Sequence, residues 1–401
     1  MTTARARYAR ILRTPHVLPL IAAAVVARLP IGIDSLAIVL FLRERTGSYA
    51  AAGIVSAAFA LGGGVGAPLS GRLIDRFGQA RVLVPLALGH GVGLGALVAL
   101  TLLDAPVAVL VAAGLLAGLA IPPISATLRP LWAPLLERDP HLIPTAYALD
   151  SVLIEFVFVF GPLVTAVATA LLSPAAALGL SAALIVAGTV AFASSPPSRA
   201  WTPEPGGGDH GWLGALRSPG LRTLVLATLP LGFCFGAMEV TLPAFSEAEA
   251  TPAWAGVLLS VWSLGSAIGG LTYGARAERL ALGPTYVRLA AVLPLTFVPL
   301  AVSPSLAAMP LLCFVAGVAI APLLASGNQL VGDVAPVGAL TEAYTWPITS
   351  LVVGIAGGNA AAGALVDVAD WRVSFLVGAA VAGLGGLLAF TRRETLERAA
   401  V

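Results

Sequence analysis

Apolar runs of about twenty residues succeed one another along the chain, each closed by a short polar or glycine- and proline-rich stretch. A helix rising ~1.5 Å per residue needs roughly twenty residues to cross a ~30 Å hydrocarbon layer, and the runs have that length. The pattern predicts twelve spanning helices, at 17–41, 49–70, 82–103, 106–128, 146–172, 174–194, 223–246, 252–274, 287–303, 306–328, 343–366 and 372–391. The alternation expected of membrane barrel strands is absent, and a helix is the other way to satisfy a backbone in lipid. The first run is expected to be a retained span: it is too long for a signal peptide and carries Arg28 and Asp34.

The same pattern repeats within the chain. Residues 53–76, GIVSAAFALGGGVGAPLSGRLIDR, align without gaps at an offset of 203 with residues 256–279, GVLLSVWSLGSAIGGLTYGARAER. Gly62, Gly66, Gly71 and Arg76 fall on Gly265, Gly269, Gly274 and Arg279, and Asp75 falls on Glu278. LPIG at 29–32 answers LPLG at 229–232, and AGLAIPP at 117–123 answers AGVAIAP at 316–322. Tyr147, Gly161 and Pro162 answer Tyr344, Gly358 and Asn359. Two six-helix halves related by duplication follow: an N-terminal bundle at 1–194, a linker at 195–222 and a C-terminal bundle at 223–401. The linker is the only long polar stretch, and its prolines and glycines read as flexible.

Composition removes the soluble alternatives. The chain is 58% hydrophobic with a mean hydropathy of +0.94, which marks an all-α integral membrane protein whose partner is the lipid bilayer. All of its basic residues except histidine are arginine. With both termini inside, 18 of the 22 fall in cytoplasmic segments, Arg43, Arg45 and Arg372 fall outside, and Arg28 lies in the membrane. The opposite orientation would violate the positive-inside rule. That predicts a multi-pass protein of the cytoplasmic membrane with cytoplasmic termini. Cys234 and Cys313 fall inside spans 7 and 10 and suggest neither disulfide nor metal site. The histidines at 16, 90, 141 and 210 lack ligand spacing. Phosphate loops, nucleophile elbows and nucleic-acid patches are absent too, so an enzyme is not expected, nor a cofactor or a nucleic-acid partner; a monomer is.

The charge spent between spans 2 and 3 carries a resemblance. GRLIDRFGQARVL at 71–83 resembles the signature G-x-x-x-D-R-x-G-R-[RK]-x-x-L of the major facilitator superfamily through Gly71, Asp75, Arg76, Gly78 and Leu83. Gln79 and Ala80 replace the two usual basic residues, and Arg81 follows one place later. The resemblance implies alternating access, with Asp75 docked on the N-terminus of helix 11 and Arg76 and Arg81 holding it as a cytoplasmic gate. Gly274, Glu278 and Arg279 would form the weaker mirror gate. On span 5, Gly161 and Pro162 resemble the centre of the antiporter motif g-x-x-x-G-P-x-x-G-G of drug and metabolite exporters, although Val157, Thr165 and Ala166 depart from it.

Ionisable side chains inside a membrane cost at least ~2.5 kcal/mol each and are functional hypotheses by default. Arg28, Asp34, Glu155 and Glu239 lie in predicted spans. The family arrangement implies an ion pair between Arg28 and Glu155 in the N-terminal bundle, and Asp34 facing Glu239 across the central cavity. Glu239 is the first candidate proton carrier, Asp34 the second and Glu155 the third; the alternative for each is a static partner that fixes helix packing. His90 is expected to make a packing hydrogen bond at the periphery, and Asp150 to cap or to sit at the interface.

The sequence holds two asparagines and two glutamines, too few amides to pair the hydroxyls of a sugar. The cavity candidates are Phe233, Phe235, Met238 and Asn359, a lining suited to an apolar or amphipathic molecule, and a carboxylate among them would favour a cationic one. The expectation is a proton-coupled exporter of a drug or metabolite driven by the proton gradient, with a facilitator or importer of a small nutrient as the alternative.

Overall fold

The computed structural model describes residues 4–202, 215–275, 281–303, 305–336 and 340–396. The regular structure among these residues is all helical, with no strand. The spanning helices are α1 (Val17–Thr46), α2 (Tyr49–Phe77), α3 (Gln79–Leu102), α4 (Val107–Leu135), α5 (Ile143–Leu171), α6 (Pro174–Ser194), α7 (Pro219–Ala248), α8 (Trp254–Gly274), α9 (Leu282–Ala301), α10 (Met309–Val334), α11 (Leu340–Val368) and α12 (Trp371–Thr391). Among the described residues, twelve helices are long and apolar enough to cross a membrane. Several run past their apolar stretch: α2 continues from residue 70 to Phe77, carrying the arginine-rich segment on its last turns.

The chain divides into two compact units, residues 1–38 with 62–207, and residues 39–61 with 208–401. The hairpin that joins α1 to α2 therefore belongs with the later helices.

In the first unit, small residues set the distances between helices, since a backbone can approach closely only where no side chain intervenes. A Cβ on Gly161 of α5 would lie 2.6 Å from the Gly32 backbone of α1. Gly62 and Gly66 of α2 face the Leu115 and Leu119 carbonyls of α4, and Gly188 of α6 faces Ala27. Below these crossings a core of Ile11, Leu20, Ile74, Leu128, Trp132 and Phe192 seals the end nearest the N-terminus.

The second unit uses the same device. Gly265 and Gly269 of α8 face the Phe314 and Val318 carbonyls of α10, as Gly62 and Gly66 face Leu115 and Leu119. The offset-203 alignment is thus a repeat of contacts as well as of letters. Gly232, Gly236, Gly354 and Gly358 bring α7 and α11 together. The other repeated motif marks a break. Regular helix in α4 stops at Leu119 and resumes at Ile124, and in α10 it stops at Gly317 and resumes at Ile320. Pro122 and Pro123 lack the N–H groups that would carry α4 through.

Candidate functional site

On α1, Arg28 and Asp34 are six residues apart, which turns them about 240° from each other. They serve two separate clusters of the first unit. Arg28 is fully buried, and its Nη1 donates to Asp150 Oδ1 at 2.6 Å. Arg129 Nε stands 3.7 Å from the other Asp150 oxygen, with its own side chain exposed. The Nε and Nη2 groups of Arg28 have no hydrogen-bond partner.

The expected partner, Glu155, is not the one Arg28 takes. On α5 the buried positions Ala146, Asp150, Val157, Gly161 and Thr165 recur at intervals of four and seven, which is one helical stripe. Gly161 packs on Gly32, and the Thr165 hydroxyl lies 3.5 Å from the Ile33 carbonyl, so that stripe faces α1. Glu155 lies five residues beyond Asp150, about 140° round the helix, and is half-buried. Side chains also lean toward the N-terminus of their helix, which brings the long Arg28 back to the level of Asp150. Asp150 is therefore a buried ion-pair member and not an interfacial cap.

Asp34 makes the second cluster. It is 2% exposed and turns toward α3 and α6, whereas the family arrangement had implied that it faces the central cavity. Ser181 of α6 donates its hydroxyl to Asp34 Oδ1. His90 of α3 places Nε2 3.2 Å from Asp34 Oδ2 and Nδ1 2.9 Å from the Ala117 carbonyl. A carbonyl only accepts, so Nδ1 carries a hydrogen. A neutral ring would then present a lone pair at Nε2 to a carboxylate lone pair. The contact holds together when one proton lies between them, on the imidazole or on the carboxyl. The peripheral histidine expected to make a packing hydrogen bond does so through Nδ1, and with its other nitrogen it completes a buried dyad.

A third cluster lies in the second unit, at the turn between α1 and α2. Arg43 clasps Glu247 of α7 with two hydrogen bonds, Nε to Oε2 at 3.0 Å and Nη2 to Oε1 at 2.9 Å, and also donates to the Gly47 carbonyl. The Tyr49 hydroxyl donates to Glu247 Oε2 at 2.7 Å, and the Arg43 guanidinium lies 4.7 Å from the Tyr49 ring centre. Asp367, at the end of α11, accepts from the N–H groups of Tyr49 and Ala50 at 2.9 and 2.8 Å and from the Ser48 hydroxyl at 2.7 Å. A carboxylate from one helix thus caps the N-terminus of another, where free N–H groups and the helix dipole favour it. Gly53 and Gly363 let the backbones of α2 and α11 meet just beyond.

The remaining expected residues are dispersed. Asp75, Arg76 and Arg81 are exposed, with Arg76 lying over the Phe77 ring. Gly71 and Gly274 have no neighbour where a Cβ would stand. Gly78 turns the chain into α3 at φ +87°, a conformation that disfavours any side chain. Gln79, which replaces a basic residue of the signature, is buried: it donates to the Thr127 carbonyl at 3.0 Å and accepts from Ser198 at 3.1 Å. Glu278 and Arg279 lie outside the described residues. Pro162 sits inside α5 next to Gly161. Glu239 is half-buried on α7 and has an interaction of its own. Phe233 is half-buried, and Phe235 packs edge-on against Trp262 at 5.0 Å. Met238 and Asn359 are fully buried and so line no open cavity; the Asn359 amide has no hydrogen-bond partner. Among the described residues, no three His, Cys, Asp or Glu side chains converge as a metal site.

The Major Facilitator Superfamily model matches residues 20–254 and 245–400. No curated protein matches the chain in sequence. Solved structures do match in fold. A nucleoside transporter, NupG, has a TM-score of 0.76 at 15% identity, over 95% of this chain and 98% of that one. An auto-inhibited POT family peptide transporter has 0.72 at 15% identity, over 94% and 96%. A bacterial homologue of the iron transporter ferroportin, in an inward-facing state, has 0.69 at 15% identity, over 94% and 98%.

Proposed function

The chain belongs to the Major Facilitator Superfamily and is a transporter, not an enzyme, and we propose that it exports an apolar or amphipathic small molecule in exchange for protons. The observation that carries the reading is the Asp34–His90 dyad, buried between α1, α3 and α6. A site that must hold one proton, in a pair whose charge depends on where that proton is, is what coupling to a proton gradient needs. One proton moving down 100 mV supplies about 2.3 kcal/mol, and each pH unit adds roughly 1.4. Arg28 and Asp150, by contrast, form a buried pair that ties α1 to α5 and serves packing.

Export, as against uptake, rests on Gly161 and Pro162 of α5, which resemble the centre of the antiporter motif. Their position at the tightest α1–α5 crossing suits a pivot. The arginine distribution supports a cytoplasmic membrane location with both termini inside, and the reading takes the transporting unit to be a monomer. In that orientation the Arg43–Glu247–Asp367 cluster is an outer clasp, and Asp75 with Arg76 and Arg81 belongs to a cytoplasmic gate. Glu239 stays a second candidate for the proton path.

The test is proton movement in proteoliposomes, followed with an entrapped pH-sensitive dye while lipophilic cations and neutral metabolites are added in turn. Substrate-triggered proton flux that disappears in Asp34→Asn is expected. Normal coupling in Asp34→Asn with loss in Glu239→Gln would move the proton site to α7, and substrate flux without any proton movement would favour a facilitator.

A further inference from the structure

The second unit holds a half-open cavity of about 230 Å³ lined by α7, α9, α10 and α11. Its walls are apolar, with Leu224, Leu324 and Ile348 among them, and three uncharged polar side chains reach it: Thr228, Tyr286 and Asn328. No carboxylate, guanidinium or imidazole lines it.

The local sequence builds this shape. Tyr286 is 3% exposed, and its ring lies against Gly327, where a Cβ would come within 3.2 Å of it; only glycine there leaves the ring its place. The Thr228 hydroxyl spends its hydrogen on the Leu224 carbonyl at 2.8 Å and pairs with the Tyr286 hydroxyl, which leaves each of the two oxygens a lone pair to accept. Asn328, one of two asparagines in the chain, is exposed and brings both donors and an acceptor. Together these groups can pair a hydroxyl, an amide or a carbonyl. They cannot compensate an ion, and an uncompensated charge is costly to bury. The volume, set against ~30 Å³ for a liquid water, leaves room for on the order of ten non-hydrogen atoms.

We propose that this cavity binds the transported molecule, and that the molecule is compact and uncharged, with an aromatic or alicyclic body and one hydrogen-bonding edge. The inference rests on the transport reading above and sharpens it. It sets aside the cationic substrate that a cavity carboxylate would favour. It also has an electrical consequence: exchanging a neutral molecule for a proton moves one net charge per cycle.

The experiment uses the full-length protein in lipid nanodiscs, with thermal stability read against benzamide, benzyl alcohol, benzylammonium and benzoate, four probes of one size and different charge. The two neutral probes are expected to raise Tm in a saturable way and the two ions to leave it unchanged. Leu324→Trp, which fills the cavity, should abolish the shift. Ile348→Trp at the 61% exposed rim should do the same in a variant whose core is untouched. Asn328→Ala should weaken benzamide about tenfold. Equal shifts from charged and neutral probes, or a neutral shift that survives both tryptophans, would overturn the proposal. So would a neutral shift that vanishes when the nanodisc lipid is exchanged, since the occupant would then be an acyl chain. Asp34→Asn should bind benzamide as wild type does, and wild-type protein separates the two readings: a saturable benzamide shift without any proton movement in proteoliposomes counts against the antiporter and not against the cavity.

Discussion

Removing the charge of Asp367 should open the clasp at the α1–α2 turn by a predictable amount. The carboxylate accepts from two backbone N–H groups and one hydroxyl at 2.7–2.9 Å. An exposed carboxylate at a helix N-terminus contributes about 0.3–1 kcal/mol through the dipole, and loss of a cap costs about 0.5–2 kcal/mol. Asparagine keeps one acceptor oxygen, so Asp367→Asn should weaken the clasp by about 1 kcal/mol. The Arg43–Glu247 pair is partly exposed, at 28% and 41% of the two side chains, and Glu247→Gln should remove a further ~0.5–1 kcal/mol. The double variant therefore shifts the clasped equilibrium by about 1.5–2 kcal/mol, a factor of roughly 10 to 30. The assay places a cysteine at Ala52, which is fully buried in the clasped hairpin, and follows its labelling by a membrane-impermeant maleimide. The native Cys234 and Cys313 are buried and can be changed to alanine beforehand. Labelling 10 to 30 times faster in the double variant is expected. A rate within twofold of the parent, in protein of unchanged Tm, would refute the clasp.

Two further predictions concern packing. Arg28→Ala should destabilise by about 3–5 kcal/mol, since it strands Asp150 in the interior; Arg28→Ala with Asp150→Ala should recover part of that loss, and additive costs in a thermal-unfolding cycle would mean that the pair contributes nothing as a pair. Gly161→Ala drives a methyl into the Gly32 backbone of α1 and should cost about 1–3 kcal/mol while Gly179→Ala, in open space on α6, costs nothing measurable; equal Tm values would refute the close crossing.

Much of the fold could be read from letters because membrane helices write their packing locally. Gly62 and Gly66 recur as Gly265 and Gly269 since each pair must let a carbonyl-bearing backbone through. The repeated AGLAIPP and AGVAIAP mark the places where α4 and α10 lose regular helix. The charges were legible only as anomalies. Asp34, His90 and Ser181 each stand out in an apolar run, and buried polar groups require partners, yet nothing local says which helix supplies one. The family arrangement pointed Arg28 to Glu155, whereas the buried stripe of α5 selects Asp150, and a stripe is visible only once the facing side of a helix is known. Asp367 was hidden for a related reason: it caps α2, 317 positions away from Ala50 in the chain, and no window along the sequence joins the two.

The central claim is that the Asp34–His90 dyad holds one exchangeable proton. Infrared difference spectra of the purified protein recorded from about pH 5 to about pH 9, on either side of the ordinary histidine range, test it without any need to know the substrate. The account predicts one protonation change whose bands vanish in Asp34→Asn and move in His90→Gln. Spectra in which neither variant alters a titrating band would mean that the proton never leaves the pair, and the dyad would then be a fixture of the fold and not a carrier.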